Sequence, residues 1–300
     1  MQILILAAGL GTRLRPLTDQ MPKPLVPVVD ASILEHQVRF AKTLGNVELH
    51  ANAHHLASQL ETAGAKLGFK KVWVEYPEIL GTGGPIHRIA TEGDSDELLI
   101  LNGDCYCNFD LNAFVNAARN SGAEFALLAR DFNKVNTLQV RNGKLCGIAN
   151  RFTFAENFGS DAADETATFS GISWYSKKAL QEIRAEERDV RDFWKRMIQA
   201  GRGPFICVNR DANATWIDMG TPEGLRNAVN ARLAELKVEN WIDTSIARNF
   251  SVANGTVVNA GAVVGENAML DNVILLPGAV VNVGEILQSE IRGKDFSWRL

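Results

Sequence analysis

The 300-residue chain is poor in the features that would place it in several large classes of protein. It has four cysteines, Cys105, Cys107, Cys146 and Cys207, with none of the paired spacings of a zinc site. Cys105 and Cys107 stand too close together to anchor a disulfide framework, so free thiols in a reducing compartment are expected. The net charge is only -4, which gives no reason to expect nucleic acid or an anionic membrane as a partner. No stretch approaches the about twenty apolar residues of a membrane-spanning helix. The start, Met1-Gln2-Ile3-Leu4-Ile5-Leu6, has no basic leader and reads as a first strand rather than a signal peptide, so a cytoplasmic protein is expected. Histidine is confined to the first third, at His36, His50, His54, His55 and His87.

The apolar fraction of 46% against 22% charged residues is that of an ordinary soluble protein, and the length calls for one large domain plus an appendage. Up to about residue 236, strand-like apolar runs alternate with amphipathic stretches. The runs lie at 2–6, 47–51, 71–75, 97–101, 124–129, 137–141, 168–175 and 205–208. Helical patterns fall at 33–44, 55–66, 84–90, 111–121, 176–185, 189–200 and 222–236. Such alternation predicts an α/β fold with a mostly parallel, Rossmann-like sheet flanked by helices, and ligands bound beyond the carboxyl ends of its strands. The charge-rich segment 182–191 reads as a solvated helix face with its connecting loop. Trp194, Trp241 and Trp298 read as packing residues.

Residues 237–300 change character. Ile246, Val252, Val258, Val264, Leu270 and Leu276 recur at every sixth position, and Val257, Val263, Met269, Leu275, Val281 and Leu287 run beside them. Small or turn-forming residues such as Asn254-Gly255, Gly261 and Pro277-Gly278 separate them. A six-residue period fits neither a helix nor a hairpin; it predicts a short left-handed parallel β-helix with three hexads per coil. Such a tail serves as a cap or as a surface for self-association, and a homo-oligomer through it is one expectation. A second, acyltransferase-type activity there is not expected, because that chemistry usually employs a histidine and the tail has none.

The most informative segment is Leu6-Ala7-Ala8-Gly9-Leu10-Gly11-Thr12-Arg13, followed by Lys23-Pro24-Leu25-Val26-Pro27. Glycines after a strand let backbone N–H groups approach a phosphate, and two cations can neutralise a polyphosphate. The spacing is neither Gly-x-Gly-x-x-Gly, since Leu14 holds the last position, nor a P-loop. Two aspartates follow short apolar runs, in Leu101-Asn102-Gly103-Asp104 and in Thr215-Trp216-Ile217-Asp218-Met219-Gly220-Thr221. Strand-end carboxylates on two loops can hold one Mg²⁺ together with phosphate oxygens. Taken singly, an aspartate after a strand is more often a turn or helix-cap residue.

These strings closely resemble the signature of the sugar-1-phosphate nucleotidyltransferases, the nucleotide-sugar pyrophosphorylases, over about residues 1–230. The resemblance implies NTP and sugar-1-phosphate substrates and assigns Asp104 and Asp218 to the metal. It implies catalytic roles for Arg13 and Lys23 as well as the two aspartates. Leu6, Ala7, Ala8, Gly9, Gly11, Thr12, Asn102 and Gly103 would bind the nucleotide. The segment Glu78-Ile79-Leu80-Gly81-Thr82-Gly83-Gly84-Pro85 is similar to the family's base-facing loop, which adds Glu78, Gly81, Thr82 and Gly83; the glycines alone also fit a plain turn before a helix. Thr168-Phe169-Ser170-Gly171-Ile172 is similar to the strand lining the sugar pocket, although a Ser-Gly pair in a strand is also a common bulge.

One departure stands out. Where many members carry Glu-Lys-Pro, this chain has Gly147-Ile148-Ala149-Asn150-Arg151-Phe152, and Arg151 is the candidate cation for the sugar phosphate. The Leu-Gly-Thr-Gly-Gly-Pro string and the hexad tail resemble mannose-1-phosphate guanylyltransferases. The Thr-Phe-Ser-Gly-Ile string and the abbreviated mid-chain loop resemble N-acetylmuramate-1-phosphate uridylyltransferase. The two hints disagree, and the base stays open among G, U, dT and C. Competing readings are a glycosyltransferase, which would usually present Asp-x-Asp where this chain has Asp104-Cys105-Tyr106, and a non-catalytic nucleotide-sugar-binding regulatory subunit, which often loses one of the four charged residues retained here.

Overall fold

The computed structural model describes residues 1–93, 96–132, 135–149 and 163–300, and the backbone alone of 152 and 153. Contacts divide the chain into two compact units, each assembled from several segments. One is made of Met1–Gly9, Gln37–Gly103 and Asn108–Trp216, the other of Leu10–His36, Asp104–Cys107 and Ile217–Leu300.

The first unit is built on a ten-stranded sheet. Strands β1 (Gln2–Leu6), β2 (Glu48–Ala53), β3 (Lys71–Val74) and β4 (Glu97–Asn102) form its parallel part, in the order β3-β2-β1-β4. β1, β2 and β4 are buried nearly end to end, as strands covered on both faces must be, whereas the edge strand β3 buries only Trp73. Beyond β4 the sheet departs from the mostly parallel arrangement expected. The twelve-residue strand β6 (Glu165–Ser176) runs antiparallel both to β4 and to β5 (Phe125–Arg130), while β7 (Phe205–Asn209) lies parallel to β5. Leu138–Arg141 and Lys144–Ile148 extend it in antiparallel fashion, so the sheet is mixed.

Helices α1 (Gly83–Glu92) and α2 (Val190–Gln199) cover one part of this sheet. In α2 the buried residues Val190, Phe193, Trp194, Met197 and Ile198 repeat at helical spacing and make one apolar stripe. The stripe packs on Phe125 and Tyr175, with Trp194 Nε1 donating to the Tyr175 hydroxyl at 2.9 Å. The helix expected at 176–185 shrinks to the single turn Lys177–Leu180. Its continuation is not a solvated helical face. Arg196 is bonded to Glu187, which is only 7% exposed, and Arg202 to Glu182 and Glu124. These pairs pin the loop against α2 and its neighbours.

In the second unit, helix α3 (Pro222–Leu236) starts on a Thr221 cap, whose hydroxyl accepts from Gly224 N, with proline at the first turn. Leu225, Ala228, Val229 and Leu233 of α3 pack against Val257, Ile274 and Ile291 of the tail. The tail itself is a stack of parallel strand segments. Val257 pairs with Ile274 and Ile274 with Ile291, while Val263 pairs with Val280. The offset in these pairs is 17 residues, one fewer than three hexads, while Ser251–Ala253 pairs with Met269–Asp271 at the full three-hexad offset of 18. Left-handed residues account for its corners: Asn254, Asn272 and Ser289 at one, Gly261 and Gly278 at the next, Asn267 and Gly284 at the third.

Asn272 and Ser289 both stand outside the strand register, which passes from Asp271–Gln288 to Val273–Glu290. The strict six-residue series therefore slips there. Val258 pairs with Leu275, which faces the interior of the coils, and Leu276 joins the α3 cluster instead. The last strand, Ser297–Arg299, docks antiparallel on Ile286–Arg292. All four cysteines are free thiols.

Candidate active site

Four of the charged residues singled out in the sequence lie in the second unit, and it brings them together. Lys23 opens a turn of 3₁₀ helix, Lys23–Leu25, behind Pro22 and is only 8% exposed. A buried ammonium needs close partners, and it has two. Its Nζ lies 2.9 Å from Asp104 Oδ2 and 3.9 Å from Asp218 Oδ1. Arg13, on the exposed 3₁₀ turn Thr12–Leu14, reaches Asp218 Oδ2 at 3.7 Å. Two backbone contacts fix the pair of carboxylates: Met219 N donates to the Asp104 carbonyl at 3.0 Å, and Gly220 N to Asp218 Oδ1 at 2.7 Å.

Gly220, two residues after the second aspartate, leaves room for the Arg13 guanidinium. A Cβ there would stand 2.2 Å from the Arg13 guanidinium. The sequence contained this glycine but gave no sign of its part in seating the arginine. Gly11 is likewise crowded, in a left-handed conformation against Thr18, whose hydroxyl bonds the Gly11 carbonyl. Beside the cluster, burial raises the thiol pKa of Cys105, with the Asp104 charge adding to the effect, and burial pushes that of Cys107 up to about 12. Neither is a thiolate nucleophile near neutral pH.

Asp104 and Asp218 keep about two fifths of their side-chain surface open. Among the described residues no group of three or more His, Cys, Asp or Glu side chains is arranged to hold a metal. Two open carboxylates, with further positions left to water and phosphate oxygens, are nevertheless the donor set that suits Mg²⁺. Asp104 Oδ1, with the Cys105 thiol 3.6 Å away, fits such a role.

Gly11 and Thr12 also belong to the second unit, and the first unit carries most of the other predicted residues, among them Leu6 and Asn102 at the carboxyl ends of its parallel strands. Leu6 of β1 is level with Asn52 of β2 and Asn102 of β4. A cavity of about 290 Å³ opens there, lined by Leu6, Thr82, Asn102, Phe169, Arg191 and Trp194 among others. Gly103 N donates to the Leu6 carbonyl, and a Cβ on Gly103 would stand 2.6 Å from that oxygen. Ala7 and Ala8 are buried, and Gly9 is exposed with open space around it.

Several predicted residues also have close partners within the chain. Gly81 and Gly83 meet the chain's own backbone: their Cβ positions would lie 2.3 Å from the Arg188 carbonyl oxygen and 1.8 Å from that of Glu187. The Thr82 hydroxyl accepts from Val190 N at 3.0 Å, and Glu78 pairs with Arg188 at 2.8 Å. Ser170 and Gly171 form a bulge in β6, but the Ser170 hydroxyl is fully buried and donates to the Leu128 carbonyl. Gly171, left-handed, packs against the Asn102 side chain. Arg151 lies outside the described residues.

These contacts carry a prediction about stability. Gly83→Ala should destabilise the protein by about 1–3 kcal/mol, because the backbone at 187–188 must move. Gly9→Ala should change it by less than about 0.5 kcal/mol. Thermal unfolding of the two variants checks this, and equal effects would refute the account of the 78–83 loop.

The nucleotidyl transferase family model matches residues 2–137. Among curated proteins the chain is similar to UTP–glucose-1-phosphate uridylyltransferase of Synechocystis, 23% identical over 96% of this chain and 83% of that one. It is similar also to probable mannose-1-phosphate guanylyltransferase 1 of Oryza sativa, 25% identical over 95% and 79%. Among solved structures, the UDP-glucose pyrophosphorylase of Acinetobacter baumanii superposes with a TM-score of 0.61 at 19% identity, over 78% of this chain and 93% of that one, and shares the fold. The nucleotidyl transferase family model thus matches the amino-terminal part of the chain, and over most of its length the chain is similar to sugar-1-phosphate nucleotidyltransferases.

Proposed function

We propose that the protein condenses an NTP with a sugar-1-phosphate, giving an NDP-sugar and pyrophosphate. The observation that carries this reading is the buried Lys23 bonded between Asp104 and Asp218, with Arg13 seated beside them over Gly220. No protein nucleophile is needed for such a reaction. A phosphate oxygen of the sugar-1-phosphate, already anionic, attacks the α-phosphorus; the new P–O bond forms as the bond to the β-phosphate oxygen breaks, and pyrophosphate leaves. The protein's contribution is then positioning and charge neutralisation.

Asp104 and Asp218 would hold a divalent cation, proposed to be Mg²⁺, which neutralises phosphate oxygens when bound. Lys23 contacts the α-phosphate or the incoming sugar phosphate, and Arg13 stabilises the departing β- and γ-phosphates. N–H groups in the 9–12 segment receive the triphosphate. In the first unit, the cavity beside Asn102 and Phe169 has the mixed polar and apolar lining of a small-molecule site. The relatives include both uridylyl- and guanylyltransferases, in keeping with the mannose-1-phosphate guanylyltransferase and N-acetylmuramate-1-phosphate uridylyltransferase resemblances of the sequence.

The tail's coils are inferred to wind left-handed, as hexad repeats with three to a coil do, and to support a homo-oligomer. Exposed Val263, Met269, Val280 and Ile286 favour that use. No helix among the described residues is long and apolar enough to cross a membrane. Four free thiols fit a reducing cytoplasm.

The reverse reaction separates this reading from a regulatory subunit. UDP-glucose and GDP-mannose, each incubated with pyrophosphate and Mg²⁺, should yield UTP or GTP, and EDTA should abolish it. A nucleotide sugar that raises the melting temperature without forming any NTP would support a binding-only protein instead.

A further inference from the structure

A buried chain of hydrogen bonds in the first unit uses two residues that no motif in the sequence singled out. Asn52 lies near the end of the parallel strand next to β1 and is 2% exposed; Glu75 follows β3 and is also 2% exposed. Ala7 N donates to Asn52 Oδ1 at 2.7 Å, Asn52 Nδ2 donates to Glu75 Oε1 at 2.8 Å, and Leu80 N donates to Glu75 Oε2 at 2.7 Å. The Glu75 carbonyl is bonded in turn to His54 Nδ1 at 2.9 Å.

The chain begins at the exit of β1, where the glycine motif starts, and ends one residue before Gly81. From its other side the 81–83 segment is bonded to the 188–190 backbone, through Gly83 N to the Arg188 carbonyl and Val190 N to the Thr82 hydroxyl. The chemistry at Glu75 is specific. Asn52 Nδ2 and Leu80 N are both N–H donors, so two acceptor oxygens are required; a carboxylate offers two and an amide one.

We propose that Asn52 and Glu75 are positioning residues, a relay that sets the distance between the strand exit at Ala7-Ala8 and the 78–83 loop and thereby the affinity for the nucleotide. The proposal rests on the reading of both segments as nucleotide-binding. Neither side chain touches the reacting atoms in this role. Each acts through backbone groups, and so its loss should appear in KM for the NTP rather than in kcat.

The polarity of the relay supplies the test. Glu75→Gln leaves one of two donors, Asn52 Nδ2 or Leu80 N, facing an amide NH₂. Asn52→Asp sets a carboxylate oxygen against Glu75 Oε1. Both single variants break one link of a buried chain. The double variant Asn52→Asp/Glu75→Gln restores every link. Its carboxylate at position 52 accepts from Ala7 N and from the amide NH₂ at position 75, and the amide oxygen at position 75 accepts from Leu80 N.

UTP and GTP, each with Mg²⁺, serve as probes. Both their equilibrium binding to the full chain and their KM in pyrophosphate release would be measured, with thermal unfolding alongside. The single variants should weaken binding of the favoured nucleotide and raise its KM at least about tenfold with kcat within about threefold, and the double variant should return both to within about threefold of wild type.

A double variant no better than the singles combined overturns the proposal. So does a set in which the melting temperature falls while nucleotide binding and KM stay at the wild-type value. A wild-type protein that binds the nucleotide but never releases pyrophosphate would instead count against the transferase reading, and the binding cycle would still decide the relay.

Discussion

Replacing Lys23 by methionine should lower kcat/KM by about 10²–10³-fold, the usual cost of removing one preorganised charge-stabilising donor from a transfer site. Lys23 is the only one of the four clustered charges that is buried, and burial is what makes its charge effective, since a desolvated ammonium acts in a weaker dielectric than the exposed Arg13. Lys23→Arg should not recover the loss. The slot between Asp104 and Asp218 is shaped around a point charge at 2.9 Å, and a planar guanidinium carries its donors further out. The fold should survive, because the two carboxylates left behind are open to water. Steady-state kinetics with thermal unfolding as the control checks this; a variant within about threefold of wild type would show that the lysine is a structural ion-pair partner only.

The aspartates should show an equally large effect with a different dependence on metal. Asp104→Asn and Asp218→Asn are each expected to reduce turnover by about 10²–10³-fold, the several kcal/mol a bound cation contributes at phosphate oxygens. Asparagine at 218 can still accept from Gly220 N, so the substitution removes charge while keeping the local turn. Raising Mg²⁺ should recover part of the activity if the lost carboxylate lowers cation affinity. Near-normal turnover of both variants at saturating Mg²⁺ would remove these residues from the metal site.

The residues that made this site legible in the sequence act through their local surroundings. Lys23, Asp104 and Asp218 each sit beside a glycine, a proline or a short apolar run, and those neighbours mark a loop with a charge on it. The parallel strands β1 and β4 were legible for the same reason, as continuous apolar runs, while β2 and β3 carry Glu48, His50 and Lys71 within theirs. The antiparallel course of β6 was not, because strand direction is decided by partners far along the chain and leaves no trace in the run itself. Gly81 and Gly83 illustrate the same limit: the carbonyls that require them belong to Arg188 and Glu187, more than a hundred residues away.

The six-residue period of the tail was legible as a repeat, but not its slip at Asn272 and Ser289, which depends on two non-glycine residues adopting positive φ. Ser170 looked like a pocket residue in a pocket-lining string, yet its hydroxyl turns inward to Leu128. Asn52 and Glu75 passed unnoticed because polar residues at strand ends are ordinary turn formers when seen one at a time. Only their shared burial shows that they are paired.

The central claim, transfer of a nucleotidyl group to a sugar-1-phosphate, is tested most directly by pyrophosphate release. GTP, UTP, dTTP, CTP and ATP would each be offered against several sugar-1-phosphates, including glucose-1-phosphate, mannose-1-phosphate and N-acetylmuramate-1-phosphate, with Mg²⁺ and with EDTA. The account predicts release that requires an NTP, a sugar-1-phosphate and the metal together, and the responding pair names the base and the sugar. Silence across the whole matrix, from protein that still gains thermal stability on adding nucleotide sugars, would contradict it.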